Sequence, residues 1–247
     1  MSAGFDSVLT AGKLRIARLA YTIWDIIAFP KAVQVDRKGE SFRFSYDLHT
    51  TLFGSPNQEL LQRYKPKGKI VLSFDPGWLE LVQQHFTDFE LMDKSAKDKK
   101  INTFLCMELI RKDFVSKKTY LSEVLSENQA QNLSFKQRIL FSNSDGGGVG
   151  IFNEGKIVGV AFTPHIVQNN NFSFAIIRGV WVHQDYRNKG YGFDVSAKMC
   201  EVLFEQEIET ITLWVEESNL PALHIYEKMG FKTVDKVLGV DCKKKEN

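Results

Sequence analysis

Apolar residues recur at the spacing of secondary structure in two separate stretches of the chain. In the first stretch, Leu19, Ile23, Ile26 and Ile27 recur at helical spacing, which predicts a helix over Leu14–Ile27. Further along, Lys69–Phe74 has the length and apolar content of a short strand. Asp75 and Pro76 then predict a helix that runs to His85, because Asp is favoured at the N-cap and Pro at the first helical position. A strand followed by a helix favours an α/β arrangement for residues 1–95.

The second stretch gives a clearer order of elements. The predicted strands are Ile101–Leu109, Gly147–Phe152, Ile157–Thr163, Phe172–Val182 and Ile211–Val215. The predicted helices are Tyr120–Glu127, Ser134–Phe141, Gly190–Gln206 and one that begins at Asn219 and ends at Gly230. The second and third strands form a hairpin across a short polar turn. The order predicts a mixed α/β sheet flanked by helices instead of a regular alternation of strand and helix.

A polar, charge-rich run over residues 93–100 separates the two stretches. Such runs occur at domain boundaries or in long surface loops. We therefore predict an additional N-terminal α/β region over 1–95 and a second domain over 101–242. The chain of 247 residues is long enough for one large domain or two small ones.

The overall charge narrows the range of functions. The chain carries 32 Lys and Arg against 30 Asp and Glu, and this balance does not favour a nucleic-acid binder. Lys243–Lys245 is predicted to be a solvated tail.

The longest apolar run, Leu19–Phe29, is interrupted by Asp25 and is shorter than the roughly 18–20 residues of a membrane span. It favours a buried or interface helix, with a membrane-surface helix as the second interpretation.

Three cysteines, Cys106, Cys200 and Cys242, have no paired spacing. This sparse set predicts neither a disulfide framework nor a zinc site, and no other metal site is expected. A reducing compartment, the cytoplasm, fits best.

The segment most informative about chemistry is Val180–Gly192, in which a strand leads through a short loop into a helix. The loop ends in Arg187-x-x-Gly190-x-Gly192. The first amides of a helix have no internal partners, the helix dipole adds partial positive charge there, and glycine lets a ligand approach the backbone closely. Together these features predict a phosphate-binding loop. The P-loop and the dinucleotide fingerprint both require residues that are absent here.

These residues resemble the Q/R-x-x-G-x-G/A signature of the GNAT superfamily of N-acetyltransferases. A second block, Leu213–Phe231, is similar to the strand, Asn, Ala, Tyr and Gly-Phe pattern that follows in that family. The resemblance covers residues 101–240 and implies a GNAT-like mixed sheet flanked by helices. It also implies an acyltransferase that uses acetyl-CoA as acyl donor and an amine as acceptor.

The resemblance implies a role for particular positions. The loop residues would hold the coenzyme A pyrophosphate through their backbone amides; they are Arg187, Asn188, Lys189, Gly190, Tyr191 and Gly192. Val180 and Val182 would pair with the pantetheine arm, and Asn219 would lie near the same arm and cap the next helix. Tyr226 matches the general acid that protonates the departing thiolate.

The general base is open at this stage. The stretch that precedes the loop has no carboxylate where many family members carry one. Glu217 is the first choice, and His183 and His165 have suitable unperturbed pKa values. A water chain or direct attack by a neutral amine would also serve.

Three functional interpretations remain open. The first is an N-acetyltransferase acting on a small amine, an amino acid derivative, or a peptide or protein amine. The second is a coenzyme A-binding regulatory module without turnover, and the third is a transferase of a longer acyl chain. No nucleic-acid or membrane partner is expected, and a homodimer is left open. Residues 1–95 have no recognisable part of the family pattern and could be a degenerate second copy of the fold.

Overall fold

The computed structural model describes residues 16–28, 32–90, 101–116, 120–142 and 144–245. The helices are α1 (Ile16–Ala28), α2 (Gln58–Arg63), α3 (Leu79–His85), α4 (Glu127–Ala130), α5 (Phe135–Ser142), α6 (Tyr191–Glu205) and α7 (Leu220–Met229). The strands are β1 (Gln34–Lys38), β2 (Ser41–Tyr46), β3 (His49–Phe53), β4 (Lys69–Phe74), β5 (Phe86–Glu90), β6 (Asn102–Ile110), β7 (Glu123–Val124), β8 (Gly148–Asn153), β9 (Lys156–Gln168), β10 (Ser173–Val182), β11 (Thr210–Glu216) and β12 (Lys232–Lys244). The fold is mixed α/β, with a large mixed sheet flanked by helices.

The chain forms two compact units. The first contains residues 1–106 together with Trp214–Ser218 and Val234–Asn247, and the second contains Met107–Leu213 and Asn219–Thr233. Each unit therefore uses more than one stretch of chain, whereas the division expected from the sequence is a single cut. The charged run at 93–100 lies outside the described residues, and the division at that run stays a prediction.

In the first unit, the sheet is built from neighbouring antiparallel and parallel pairs. β1, β2 and β3 form an antiparallel meander, β3 pairs with β4 in parallel, and β4 pairs with β12 antiparallel. β5 also pairs with β12. Apolar side chains from these strands and from α2 and α3 form the core; they are Leu52, Leu60, Leu61, Tyr64, Ile70, Leu72, Phe74, Trp78, Val82, Phe86, Val240 and Cys242.

A buried ion pair accompanies this core. The Arg18 Nε atom donates to the Asp75 Oδ1 atom at 3.0 Å, and another guanidinium nitrogen donates to the Leu52 carbonyl at 3.3 Å. The second Asp75 oxygen accepts from the Gly54 amide at 2.8 Å. Asp75 is the N-cap residue and Pro76 follows it at the start of the turn, as the sequence predicts, but the Asp75 side chain forms no capping bond. The carboxylate compensates a buried arginine instead.

In the second unit, the strand order is β11-β10-β9-β8-β7. β10 pairs with β11 in parallel and with β9 antiparallel, and β8 and β9 form the hairpin that the sequence predicts. The helix α6 packs against β8, β9 and β10, and α5 packs against β9. A second core lies around α4 and β9; it contains Leu125, Ala130, Leu133, Val160 and Phe162.

Most elements expected from the sequence are confirmed, and two expectations were wrong. The predicted helix Tyr120–Glu127 is replaced by the short strand β7, which pairs with β8, and by α4, which begins only at Glu127. The predicted tail Lys243–Lys245 largely belongs to β12. There, the Lys244 ammonium donates to the Leu61 carbonyl and the Lys245 ammonium donates to the Gln83 carbonyl at 2.9 Å. Both lysines are anchored because the strand brings them to backbone carbonyls near the ends of α2 and α3.

The three cysteines are free and buried. Burial raises the pKa of Cys242 to about 12 and raises that of Cys200 further, so neither thiol ionises near neutral pH.

The end of α7 gives a test of the fold. Gly230 has φ +101°, and a Cβ atom at this position would lie 2.0 Å from the Asp113 carbonyl oxygen. We expect Gly230→Ala to lower the free energy of unfolding by about 3 kcal/mol or more, from backbone strain and overlap together. Urea unfolding measures this. Gly68→Ala, at φ +75° with open space around it, is the matched control and should cost only about 1 kcal/mol. Equal losses in both variants would contradict the close approach.

Candidate functional site

The strand β10 changes partners along its length. Its parallel pairing with β11 covers Phe174–Ile176 and Thr210–Thr212, while its antiparallel pairing with β9 continues to Val182. Two irregularities interrupt the β9 ladder, between Ile176 and Arg178 and between Arg178 and Trp181. In the part of the chain that the structure describes, the end of β10 therefore has an edge without a protein strand beside it. Val180 and Val182 lie on this part of β10, and backbone groups at such an edge are available to a ligand.

The loop that follows β10 is anchored at its beginning. A 3₁₀ turn spans Gln184–Tyr186, and the His183 Nδ1 atom accepts from the Asp185 amide at 3.4 Å. This contact gives His183 a structural capping role. The Arg187 Nε atom donates to the Val182 carbonyl at 3.2 Å, so the arginine side chain folds back onto the end of β10.

The loop itself has an unusual backbone. Asn188 has φ +60° and Gly190 has φ +79°, so two left-handed residues lie within three positions. Asn and Gly are the residues that tolerate this conformation best. Residues 187–190 are all exposed. Left-handed residues in turns also occur in the backbone nests that bind anions.

The helix α6 begins directly after this loop. Its N-cap residue is Gly190, which has no side chain to satisfy the first amides. These amides and the helix dipole therefore remain available to an external anion. At Gly192, a Cβ atom would lie 3.0 Å from the Ile225 Cδ1 atom on α7, which accounts for the second glycine by packing between the two helices.

A buried acid in the first turn of α6 was not identified from the sequence. The Asp194 carboxylate accepts from the Leu121 amide at 3.1 Å, from the Ser122 amide at 2.9 Å and from the Ser122 hydroxyl at 2.6 Å. The negative charge is also favoured by the helix N-terminus. Asp194 thus attaches the segment before β7 to the beginning of α6. An acidic residue in the first helical turn was the only signal in the sequence.

The helix α7 carries the next two expected site residues. The Asn219 side chain accepts from the Ala222 amide at 3.3 Å, so Asn219 is an N-cap. Tyr226 lies one turn before the end of the helix and is 8% exposed, with its ring 5.6 Å from that of Phe231. Gly230 ends the helix in the left-handed conformation, as the sequence predicts.

Two neighbouring carboxylates at the end of β11 have different surroundings. Glu217 is paired with the Lys236 ammonium at 2.6 Å, and about two fifths of its side chain is exposed. Glu216 is 2% exposed. Its Oε2 atom accepts from the Ser218 amide at 2.6 Å and from the Ser218 hydroxyl, whereas its buried Oε1 atom has no protein partner among the described residues. A buried carboxylate oxygen without a donor needs a water or a ligand to satisfy it.

The part of β10 over residues 175–179 has no carboxylate, and it carries one basic residue, Arg178. Arg178 is exposed at the irregularity of the ladder. His165 on β9 is the register partner of Ile176. Burial lowers the pKa of His165 from 6.5 to about 4; the Arg178 charge acts in the same direction and the Asp145 carboxylate opposes it. His165 is therefore neutral near pH 7.

The expected site residues are distributed over both units. The loop residues, the two valines, Asn219 and Tyr226 all belong to the second unit, and α6 and α7 pack against each other within it. Glu217 belongs to the first unit. Among the residues that the structure describes, no three His, Cys, Asp or Glu side chains are grouped as metal ligands, and no helix is long and apolar enough to cross a membrane.

A mixed sheet with a strand that loses one neighbour, followed by an exposed loop and a helix without a side-chain N-cap, defines an α/β protein in which the loop leads to an open helix N-terminus. The sequence model of the acetyltransferase (GNAT) family matches residues 105–231. The chain belongs to this family.

One relative of low sequence identity agrees with the assignment to this family. A mycothiol acetyltransferase of Saccharomonospora viridis is 29% identical over 114 residues, which is 44% of this chain. The matched part spans only 37% of the length of that relative.

Solved structures share the fold over nearly the whole chain. A Drosophila melanogaster protein superimposes with a TM-score of 0.67 at 14% identity, covering 96% of this chain and 95% of that protein. A GCN5-related N-acetyltransferase-like protein from Streptococcus suis gives 0.56 at 16% identity, covering 95% and 100%. At these identities the likeness shows the fold alone. The likeness extends well beyond residues 105–231, the part that the family model matches.

His165 gives the protein a testable pH dependence. The folded chain binds its proton near pH 4 and the unfolded chain near pH 6.5, so protonation favours unfolding within this window. We expect the free energy of unfolding to fall as the pH is lowered from 6.5 to 4, and we expect a smaller fall in His165→Gln. Urea unfolding at several pH values measures both. Parallel pH profiles would contradict the depressed pKa, which an NMR titration of the ring reports directly.

Proposed function

We propose that this protein is an acetyl-CoA-dependent N-acetyltransferase that transfers acetyl to a primary amine of a small molecule, an amino acid derivative or a peptide or protein. The proposal rests on the exposed loop before α6, in which Asn188 and Gly190 both have a left-handed backbone. The helix then begins without a side chain that caps its first amides. Membership of the acetyltransferase (GNAT) family supports the same reaction class. The names of the two enzymes described above agree with acetyl transfer by those proteins.

In this proposal the donor binds along the second unit. The backbone amides from Asn188 to Gly192 hold the pyrophosphate, because they can donate to its phosphoryl oxygens and the helix dipole favours the anion there. Arg187 begins this loop, but its own amide already donates to the Gln184 carbonyl at 3.3 Å. The free edge of β10 at Val180 and Val182 pairs with the amides of the pantetheine arm. Asn219 lies near the same arm in addition to its capping bond.

The chemistry requires two proton transfers. The amine nitrogen attacks the thioester carbonyl, a C–N bond forms, the C–S bond breaks, and coenzyme A leaves as a thiolate. Tyr226 donates its phenolic proton to that thiolate, and the proton lost by the amine passes to a base. A neutral tyrosine suits the first role because its hydroxyl can donate to a developing anion.

Several side chains are candidates for the base that takes the proton from the amine. Glu217 remains the first choice from the sequence, and in the structure its carboxylate is engaged in an ion pair with the Lys236 ammonium at 2.6 Å. Glu216 is buried, and one of its oxygens has no protein donor among the described residues. We therefore extend the proposal to Glu216 as an alternative base. His183 is less suited because it caps a turn, and His165 because of its low pKa.

The alternative function is a coenzyme A-binding regulatory module without turnover. The observation in its favour is the exposed Arg178 on β10, where many family members carry a carboxylate. Donor binding is common to both functions, and only amine-dependent turnover distinguishes them.

Donor binding is tested at Gly190. This residue has φ +79°, and no atom lies within 4 Å of the place that a Cβ atom would take, so a leucine there would occupy the space in which the pyrophosphate binds. We expect Gly190→Leu to weaken coenzyme A binding by about tenfold or more in calorimetry. Gly68→Leu carries the same backbone strain at φ +75° in the first unit and should retain wild-type affinity. Unchanged affinity in folded Gly190→Leu would remove the loop from the donor site.

Turnover is tested by thiol release from acetyl-CoA, with a panel of amines, amino acids and short peptides. We expect release that depends on one class of amine. Tyr226→Phe should retain coenzyme A affinity and lower kcat by about tenfold to a hundredfold.

The same assay separates the two carboxylates. Glu216→Gln should lower kcat and shift its pH profile, whereas Glu217→Gln should change both less if Glu216 is the base. The reverse result would return the role to Glu217. Tight donor binding with no release from any amine would favour the regulatory module.

A further inference from the structure

Two aromatic rings stack across the proposed phosphate-binding loop, residues 187–190, one from each end of it. Tyr186 ends the 3₁₀ turn and Tyr191 is the first residue of α6. Their ring centroids lie 6.0 Å apart and their planes are inclined by only 21°, so the rings are stacked. Both tyrosines are half-buried, whereas the residues between them are exposed. The stack therefore links two points between which the chain has few other contacts.

Tyr186 has three further contacts. Its hydroxyl oxygen accepts from the Asn153 Nδ2 atom at 2.8 Å, which connects it to the end of β8. The Lys189 ammonium lies 5.0 Å from the centroid of its ring, within cation–π distance. His183 contacts the ring edge-on, with centroids 5.8 Å apart. Tyr186 is therefore the common contact of the hairpin, of the loop and of the first residue of α6.

This arrangement matters because of the backbone between the rings. Two left-handed residues, Asn188 and Gly190, are costly to hold unless neighbouring contacts fix them. A flexible loop would lose conformational entropy each time that it bound an anion. Stacked rings at both ends remove part of that freedom before the ligand arrives.

We propose that the Tyr186–Tyr191 stack is a positioning device that holds the loop amides in their anion-binding arrangement. The rings act through the backbone, so they are positioning residues and not catalytic ones. This inference rests on the proposed function, because it assumes that the loop receives the pyrophosphate of coenzyme A. It adds a role for side chains that the family signature does not include.

The inference predicts how substitutions at the two tyrosines rank. Tyr186→Leu and Tyr191→Leu remove the stack and should weaken coenzyme A binding by about five- to tenfold, which is what an aromatic pair commonly contributes. Tyr191→Phe keeps both the stack and the backbone amide, and it should lose much less affinity than Tyr191→Leu. Tyr186→Phe keeps the stack but loses the bond from Asn153, and should fall between them.

The experiment is calorimetry of coenzyme A with the full chain, with thermal unfolding of each variant without ligand. Tyr46→Leu removes a half-buried tyrosine from the first unit and is the matched control. The result expected is a selective loss of affinity in the two leucine variants, with rescue by Tyr191→Phe and no loss in the control. A larger unfavourable entropy of binding in the leucine variants is also expected, because a purely structural role would not produce it.

The outcomes distinguish the inference from the function on which it rests. If the wild type binds coenzyme A and the folded leucine variants bind equally well, the positioning role is overturned and the proposed function stands. Equal losses in the leucine variants and in Tyr191→Phe would also overturn it, since the stack would not be the cause. If the wild type itself does not bind coenzyme A, the donor site and the positioning role both fail.

Discussion

The buried Asp194 carboxylate fixes the beginning of α6, and the candidate donor site depends on that helix end. A carboxylate is stable away from water only when donors replace its hydration, and here the donors are two backbone amides and the Ser122 hydroxyl. The inward side of the first turn is thereby satisfied within the protein. The outward amides and the glycine N-cap remain exposed. This separation of a bonded side and an open side makes the helix end suitable for an anion.

The strand before the loop supplies a second constraint. Parallel pairing between β10 and β11 ends at Ile176 and Thr212, while β9 continues to support the other edge of β10 to Val182. An extended ligand could therefore pair with backbone groups without displacing a strand. The same strand leads directly into the loop. The donor site proposed here consequently combines two kinds of backbone recognition along a single run of residues.

The side chains proposed as acid and as base have different surroundings. Tyr226 lies buried on α7, whose beginning is capped by Asn219 and whose end is fixed by Gly230. Of the two carboxylates on or next to β11, Glu217 is engaged by a lysine and Glu216 is buried with one oxygen open. Adjacent positions on a strand point to opposite faces of the sheet. The sequence alone does not show which of the two carboxylates lies on the buried face. Their different charge environments arise only when Lys236 and Ser218 are brought beside them.

The sequence by itself determined the elements with strong local signals. The hairpin, β10, α6 and α7 follow from periodicity, from turn residues and from glycines at positive φ, and the family match followed from two short blocks of residues. Tertiary structure decided what local pattern could not express. Residues 120–127 have helical spacing but pair with β8 and with Asp194, more than 70 positions along the chain. Asp75 is an N-cap residue whose side chain pairs with Arg18 instead of capping the turn, and Lys244 was expected in a solvated tail but bonds to the Leu61 carbonyl. In each case a polar group found its partner far along the chain, and the need to satisfy buried charges and carbonyls outweighed local preference.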